Sequence, residues 1–150
     1  MTSGSERDAI IDVVNHYAYA LDDRKWHMLD QVFTLDAVAR YGRSDQPPLI
    51  GRETIVASIR SHLDGCGPSQ HLLGNHVVNI DGDTATATCK ARVYHYGAGS
   101  RSSLVPYECF GVYRDRLRRE PSGWRIFDRV FEVQLTVGDA QILQPNWQPS

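Results

Sequence analysis

The chain is poor in the patterns that mark a protein for a membrane, a metal or a nucleotide. No apolar run approaches the ~20 residues that a bilayer-spanning helix needs, so no membrane partner is expected. The opening residues, MTSGSERDAI, are polar and of mixed charge, without the apolar centre of a secretory leader. Cysteine is scarce: Cys66, Cys89 and Cys109 are the only three, and none is in C-x-x-C spacing. Free thiols in a reducing, cytoplasmic setting are therefore expected. There is no H-x-x-x-H pair and no Cys/His cluster, and His71 and His76 have opposite strand parity, so no metal site is expected. No glycine-rich phosphate cradle and no G-x-S-x-G elbow occurs, which excludes the common nucleotide-binding and serine-hydrolase signatures. The formal net charge is only -2, too little imbalance to point to nucleic acid. Arg114, Arg116, Arg118 and Arg119 are interleaved with Asp115 and Glu120 and read as a solvated strand end.

What is present is an ordinary globular balance, 41% hydrophobic and 23% charged over 150 residues. That is one domain, 1–150, with loose termini expected at 1–6 and 138–150. Residues 8–24 read as a helix opened by a Ser5/Asp8 capping box, with Ile11, Val14, Ala18 and Leu21 as its apolar stripe. Trp26, Leu29, Val32 and Phe33 suggest a second, short helix, and residues 52–63 a third. A strand is expected at 37–41. After Pro68 the period becomes two, giving strands near 70–80, 84–96, 104–117 and 124–136, with turns at Asp81-Gly82 and Ser122-Gly123. Helices followed by a long antiparallel meander mean an α+β fold, and long twisted strands favour a curled sheet with the helices on its open side.

Several polar residues fall on faces that should be apolar. Ala85, Ala87, Cys89, Ala91 and Val93 share one face of their strand, and His95 continues it. The small side chains leave space there. Arg129 lies in parity with Phe127, Phe131, Val133 and Leu135. It needs either an internal ion pair, with Glu108 or Asp22, or an anionic or carbonyl ligand. Asp22 projects beside the apolar stripe of the first helix, and no local partner accounts for it.

The segments YALDDRKW, FTLDAVARYG, SQHLLGN, ARVYH and SGWRIFDRVF, in that order, resemble the SnoaL-like group of the nuclear transport factor 2-like superfamily. Within it they are most similar to the scytalone dehydratases and the hexachlorocyclohexane dehydrochlorinases. The resemblance spans roughly residues 8–136. It implies a cone-shaped barrel, with a strongly curved, mostly antiparallel mixed sheet and three main helices over its concave face. It also implies that Asp22 pairs with His71. Tyr41 and His95 match further pocket residues of the dehydratases, and Arg129 matches an arginine of the dehydrochlorinases. Leu21, Tyr107 and Cys109 depart from the dehydratase pattern, and Tyr17 from the dehydrochlorinase pattern. The expected catalytic set is Asp22, His71, His95 and Tyr41. The expected substrate-binding set is Arg129, Tyr17, Phe127, Phe131 and Trp26.

These residues suit proton abstraction. His71 would be the base and Asp22 its orienting partner. Tyr41 and His95 would polarise a carbonyl or protonate departing hydroxide, and Arg129 would hold developing negative charge. The expected activity is a lyase needing no cofactor, a dehydratase acting on a hydrophobic cyclic or polyketide-like molecule. An isomerase or cyclase using the same base is the alternative, and a non-catalytic ligand-binding or assembly module is the reading from another class. A homodimer or homotrimer is expected, because Tyr94, Tyr96, Tyr107 and Tyr113 are placed on the outer sheet face.

Overall fold

Ser5 and Asp8 open the first helix as a reciprocal capping box. The Ser5 hydroxyl accepts from the Asp8 backbone N–H at 3.1 Å and the Asp8 carboxylate accepts from the Ser5 N–H at 3.4 Å. In the computed structural model, which describes residues 5–42 and 45–148, this helix, α1, spans Glu6–Asp22. Its buried stripe is Ile10, Val13, Val14, Tyr17, Ala18, Ala20 and Leu21. A 3-10 helix, Trp26–Gln31, comes next, then β1 (Phe33–Tyr41), β2 (Leu49–Ile50), α2 (Arg52–Leu63), β3 (Cys66–Asp81), β4 (Thr84–Gly97), β5 (Tyr107–Glu120) and β6 (Gly123–Val137). Short 3-10 turns at Gly99–Ser103 and Ala140–Leu143 complete the described chain.

The six strands form one mixed sheet in the order β2-β1-β6-β5-β4-β3. Only β1 and β6 are parallel; every other pair is antiparallel. The expected α+β architecture, with three helical segments against a six-stranded sheet, is what the chain forms. The sheet does not close into a barrel, because β2 and β3 are its two free edges. α1 packs on β3 and β6, and α2 on β1, β2 and β3. Gly82, at φ +59°, supplies the left-handed position of the β3–β4 hairpin.

Two bulges set the facing of β6. Leu117 pairs with Ile126 and Arg116 with Asp128, which leaves Phe127 as an extra residue. Gly111 pairs with Val133 and Phe110 with Leu135, which leaves Gln134 extra. Each extra residue reverses the parity of the strand beyond it. Trp124 and Ile126 therefore face the core, and so do Arg129 and Phe131 beyond the first bulge, while Leu135 beyond the second is 53% exposed. The single parity read from the sequence for Phe127 through Leu135 is corrected accordingly. On β4 the expected face holds throughout: Ala85, Ala87, Cys89, Ala91, Val93 and His95 are all buried.

The C-terminal segment is also corrected. It was expected to be loose, yet Ile142 is fully buried and Ala140–Leu143 is ordered as a 3-10 turn. At the other end Glu6 is tied down by Arg119 at 3.0 Å and by the Trp124 indole at 2.6 Å. The outer-face tyrosines divide. Tyr94 and Tyr96 are 41% and 49% exposed, but Tyr113 is buried, and Tyr107 turns to the inner side, where a cavity lies.

Candidate active site

Between α1, α2 and the inner sheet face lies a cavity of about 460 Å³. Its walls are largely apolar: Leu21, Ile59, Leu63, Val93, Phe131 and Val133 contribute to them. From β4 only Val93 and His95 reach it, and Gly111 gives the Phe131 ring its place, since a Cβ there would come within 2.6 Å of the ring. Two polar groups converge on this space from different elements.

The first is built where the end of α1 meets β3. The His71 Nδ1 lies 2.7 Å from the Asp22 Oδ1. The His71 backbone N–H donates to the other carboxylate oxygen at 2.8 Å, and the Ser69 hydroxyl donates to Oδ1 at 3.0 Å. Ser69 in turn accepts from Arg24 at 2.9 Å. Arg24 stands at φ +57°, in the left-handed region, and its guanidinium also donates to the Gly67 and Leu21 carbonyls, each at 2.6 Å. It thereby clasps the end of α1 to the start of β3. Ser69 and His71 share a face because they are two residues apart on one strand, paired with His95 and Val93. Burial pushes the Asp22 carboxyl up, but the His71 ring, its charge and N–H, and Ser69 outweigh this, and its pKa is net lowered. Asp22 is thus a carboxylate at neutral pH. A carboxylate can only accept, so Nδ1 of His71 carries a proton, and Nε2 is the nitrogen left to exchange one with a ligand. The His71 side chain, only 5% exposed, lines the cavity, whereas Asp22 stands behind it.

His95 adjoins this pair, its ring 6.3 Å from that of His71 and nearly perpendicular to it. Its Nδ1 donates to the Tyr107 carbonyl at 3.0 Å. Burial pushes its pKa down to about 4. At neutral pH it is uncharged with an Nε2 that only accepts. It therefore has no proton to give a leaving hydroxide or a carbonyl, and its expected role as a donor is corrected to that of an acceptor for a ligand N–H or O–H.

The second polar group is a pair of phenols. Tyr17 and Tyr41 place their hydroxyls 3.0 Å apart. Burial pushes both pKa values well above 10, so both keep their protons. One hydroxyl donates to the other, and the pair continues to the Tyr113 hydroxyl, which interacts with Tyr17, and to Arg129, which interacts with Tyr41.

Arg129 was expected at the substrate and is not there. It is fully buried and held by Asp115, Nε to Oδ1 at 2.7 Å and Nη2 to Oδ2 at 2.8 Å. Its guanidinium lies between the Tyr17 and Tyr113 rings, 4.2 Å from each centroid. Burial opposes its charge, but Asp115 wins and the pKa is raised further. Of the two readings open for Arg129, the internal ion pair is the one formed, with Asp115 as partner; Glu108 pairs with Arg92 on the outer face. Phe127 and Trp26 are corrected as well. Phe127 is the bulge residue and turns outward beneath Arg116 and Arg118, at 5.0 and 5.8 Å. Trp26 opens the 3-10 helix and packs against the core without reaching the cavity. Tyr17, Tyr41, His71, His95 and Phe131 all line it. Ser69 and Arg24 carry no expectation from the sequence, and Tyr113 and Asp115, expected on the outside, are buried. Only Ser69 had a signal, its two-residue spacing from His71. Among the described residues no cluster of three or more His, Cys, Asp or Glu side chains is placed to hold a metal ion.

An open mixed sheet with helices over one face, enclosing a cavity with an Asp–His pair at its edge, defines the nuclear transport factor 2-like class. Residues 3–130 match the SnoaL-like domain, and the chain belongs to that family. It is 35% identical over 130 residues to the uncharacterized protein Rv2910c of Mycobacterium tuberculosis, covering 84% of each chain. A solved structure from Novosphingobium aromaticivorans, named as a candidate scytalone dehydratase, superposes with a TM-score of 0.79 at 18% identity, covering 89% of this chain and 87% of its own. The hexachlorocyclohexane dehydrochlorinase LinA-type3 from Novosphingobium barchaimii does so with a TM-score of 0.75 at 14% identity, covering 96% and 94%. At these identities the two structures establish likeness of fold.

Proposed function

We propose that this chain is a lyase that needs no cofactor and dehydrates a hydrophobic cyclic or polyketide-like molecule. The observation that carries the reading is the 2.7 Å contact between His71 Nδ1 and Asp22, which leaves the basic Nε2 on the cavity side. In this reaction Nε2 removes the proton beside a carbonyl, and Asp22 stabilises the imidazolium that forms. The Tyr41 hydroxyl, which lines the cavity, rotates from Tyr17 to donate to the carbonyl oxygen as it gains charge. The C–O bond of the β-hydroxyl then breaks, the double bond forms, and the imidazolium returns its proton to the departing hydroxide. The products are the unsaturated ketone and water. Arg129 acts at one remove: its charge opposes the effect of burial on both phenols.

An isomerase or cyclase using the same base is favoured by one observation. His95 is neutral and has no proton for a leaving group, and Tyr17 and Tyr41 hold theirs tightly, so a departing hydroxide depends on the proton His71 has just taken. Proton transfer without loss of a group asks less of this site.

The test is a screen of hydroxylated cyclic ketones, monitored by absorbance as conjugation extends. Turnover by the wild type that disappears in His71→Gln supports the base assignment. Equal turnover in a folded His71→Gln variant sinks it. Binding without turnover in both supports the non-catalytic alternative. Cytoplasmic placement and self-association complete the proposal. Among the described residues no helix is long and apolar enough to cross a membrane. Leu72, Tyr94, Tyr96, Leu135 and Val137 remain exposed across β3, β4 and β6 as the surface for a second or third copy.

A further inference from the structure

The ligand cavity has an outer wall that the sheet and the main helices do not provide. Ala140, Leu143, Gln144 and Pro145, from beyond the last strand, line it. The segment leaves β6 at Gly138, whose φ is +92° and where an added Cβ would collide with the Pro106 carbonyl. Asp139 donates its N–H to the Val105 carbonyl at 3.1 Å, and Ile142 is fully buried in the core. The chain is therefore anchored as far as Ile142. Beyond it, Leu143 closes the 3-10 turn, and with Gln144–Trp147, which have no strand or helix of their own, it forms a short leaf.

One side chain holds that leaf. Arg101, in the turn after β4, is only 7% exposed. Its Nη1 donates to the Ile142 carbonyl at 2.7 Å and its Nη2 to the Gln144 carbonyl at 2.8 Å. One arm of the fork thus grips the anchor and the other the leaf. The Trp147 ring lies 5.2 Å from the guanidinium, and its indole N–H donates to Gln141 at 3.0 Å. Room for Arg101 comes from two glycines. A Cβ at Gly65 would stand 2.7 Å from its Cζ, and one at Gly97 would collide with its carbonyl. A planar, two-armed donor fits two carbonyls at once, and a lysine could not reproduce this. The carbonyls are those left without partners at the end of a 3-10 turn, so the contact satisfies both sides.

We propose that Leu143–Trp147 is a gate over the ligand cavity, that Arg101 is its latch, and that Leu143 and Pro145 limit the size of ligand the closed site accepts. Arg101 is a positioning residue that touches no reacting atom. The gate rests on the reading of the cavity as a ligand site, and not on the lyase chemistry assigned to it. Opening breaks the Gln144 arm and the Trp147 contact while leaving Ile142 in the core, so the leaf moves without unfolding the domain.

The test uses the full chain and 2-naphthol as a fluorescent probe, with association and dissociation rates read by stopped flow. Arg101→Met keeps an apolar stem and removes both donors. Loss of these charge-assisted bonds should raise both rates by about tenfold, with a smaller change in affinity. Trp147→Ala, on the solvent side, should raise both by about threefold, and it decides the matter if Arg101→Met does not fold. Leu143→Ala should shift preference from 2-naphthol toward the larger 2-anthrol. Unchanged rates in folded variants overturn the gate. A rise in the dissociation rate alone also overturns it, because that marks a fixed wall contact. Failure of 2-naphthol to bind the wild type overturns the gate and the ligand cavity together. Normal gating in a protein whose turnover survives His71→Gln leaves the gate standing and removes only the base assignment.

Discussion

Replacing Asp22 with Asn probes the site without changing its shape. Asp22 accepts from three donors: the His71 N–H at 2.8 Å, the His71 Nδ1 at 2.7 Å and the Ser69 hydroxyl at 3.0 Å. An asparagine has one acceptor oxygen and one donor nitrogen. The backbone N–H of His71 cannot reverse, so the amide oxygen must stay with it. The amide nitrogen is then turned toward Nδ1 and Ser69. Ser69 can rotate its hydroxyl, and His71 can move its proton from Nδ1 to Nε2. The cavity then meets an N–H instead of a lone pair, and the base is gone although every heavy atom has kept its place. The expected loss in kcat is about a hundredfold at least, or about 2.7 kcal/mol in the barrier, and about ten-thousandfold if the tautomer changes completely. Nitrogen-15 NMR of the imidazole reads the tautomer directly and needs no substrate. Wild type should show Nδ1–H at His71 and Asp22→Asn should show Nε2–H. A variant that keeps the Nδ1–H form, or that turns over at the wild-type rate, refutes the reasoning.

The remaining predictions concern stability and assembly. His95 is buried with its pKa lowered to about 4 against 6.5 for the free side chain. Below pH 6.5 the unfolded chain binds a proton that the folded chain refuses, so stability should fall by about 3 kcal/mol between pH 6.5 and 4, and His95→Gln should flatten that window in urea titrations. Asp22 works in the lower range: its lowered pKa contributes stability above the ordinary value of 3.8, lost as pH falls through the folded value, and Asp22→Asn should remove that acid limb. Asp115→Asn leaves the buried Arg129 without its counter-charge and should cost about 3–5 kcal/mol in urea denaturation, whereas Glu108→Gln, opposite the exposed Arg92, should cost under about 1 kcal/mol. Light scattering should report a dimer or trimer that Tyr94→Glu with Leu135→Glu converts to monomer; a wild type that is monomeric at micromolar concentration contradicts the assembly.

The sequence showed most of the fold because its signals were local. A capping box, a period of two and a glycine turn each act within a few residues, and α2 and β4 begin where those signals place them. The Asp22–His71 contact was legible for another reason: a carboxylate beside an apolar stripe needs a partner, and the family resemblance supplied it. Arg129 was read only as far as its need for an anion. Its partner, Asp115, reads in the sequence as part of a solvated basic strand end, because alternation along β5 says nothing about which acid faces inward until β6 is in register. Phe127 was misplaced by the same limit, since a bulge is a property of two strands and leaves no mark in one. The outer wall of the cavity was missed because Ile142 and Leu143 are a two-residue apolar step in a polar tail, too short to show a period.

The bulge at Phe127 also bears on how chain length can vary in this strand. Upstream of it, Trp124 and Ile126 face inward by one parity; downstream, Arg129 and Phe131 face inward by the other. Deleting one residue there would restore a regular ladder and rotate one half of the strand by half a turn, bringing either Arg129 and Phe131 or Trp124 and Ile126 to the surface. A deletion is therefore not equivalent to the loss of one outward phenylalanine, because it exchanges inside for outside. Substitutions at 127 should be tolerated freely, and single-residue length changes between 124 and 131 hardly at all.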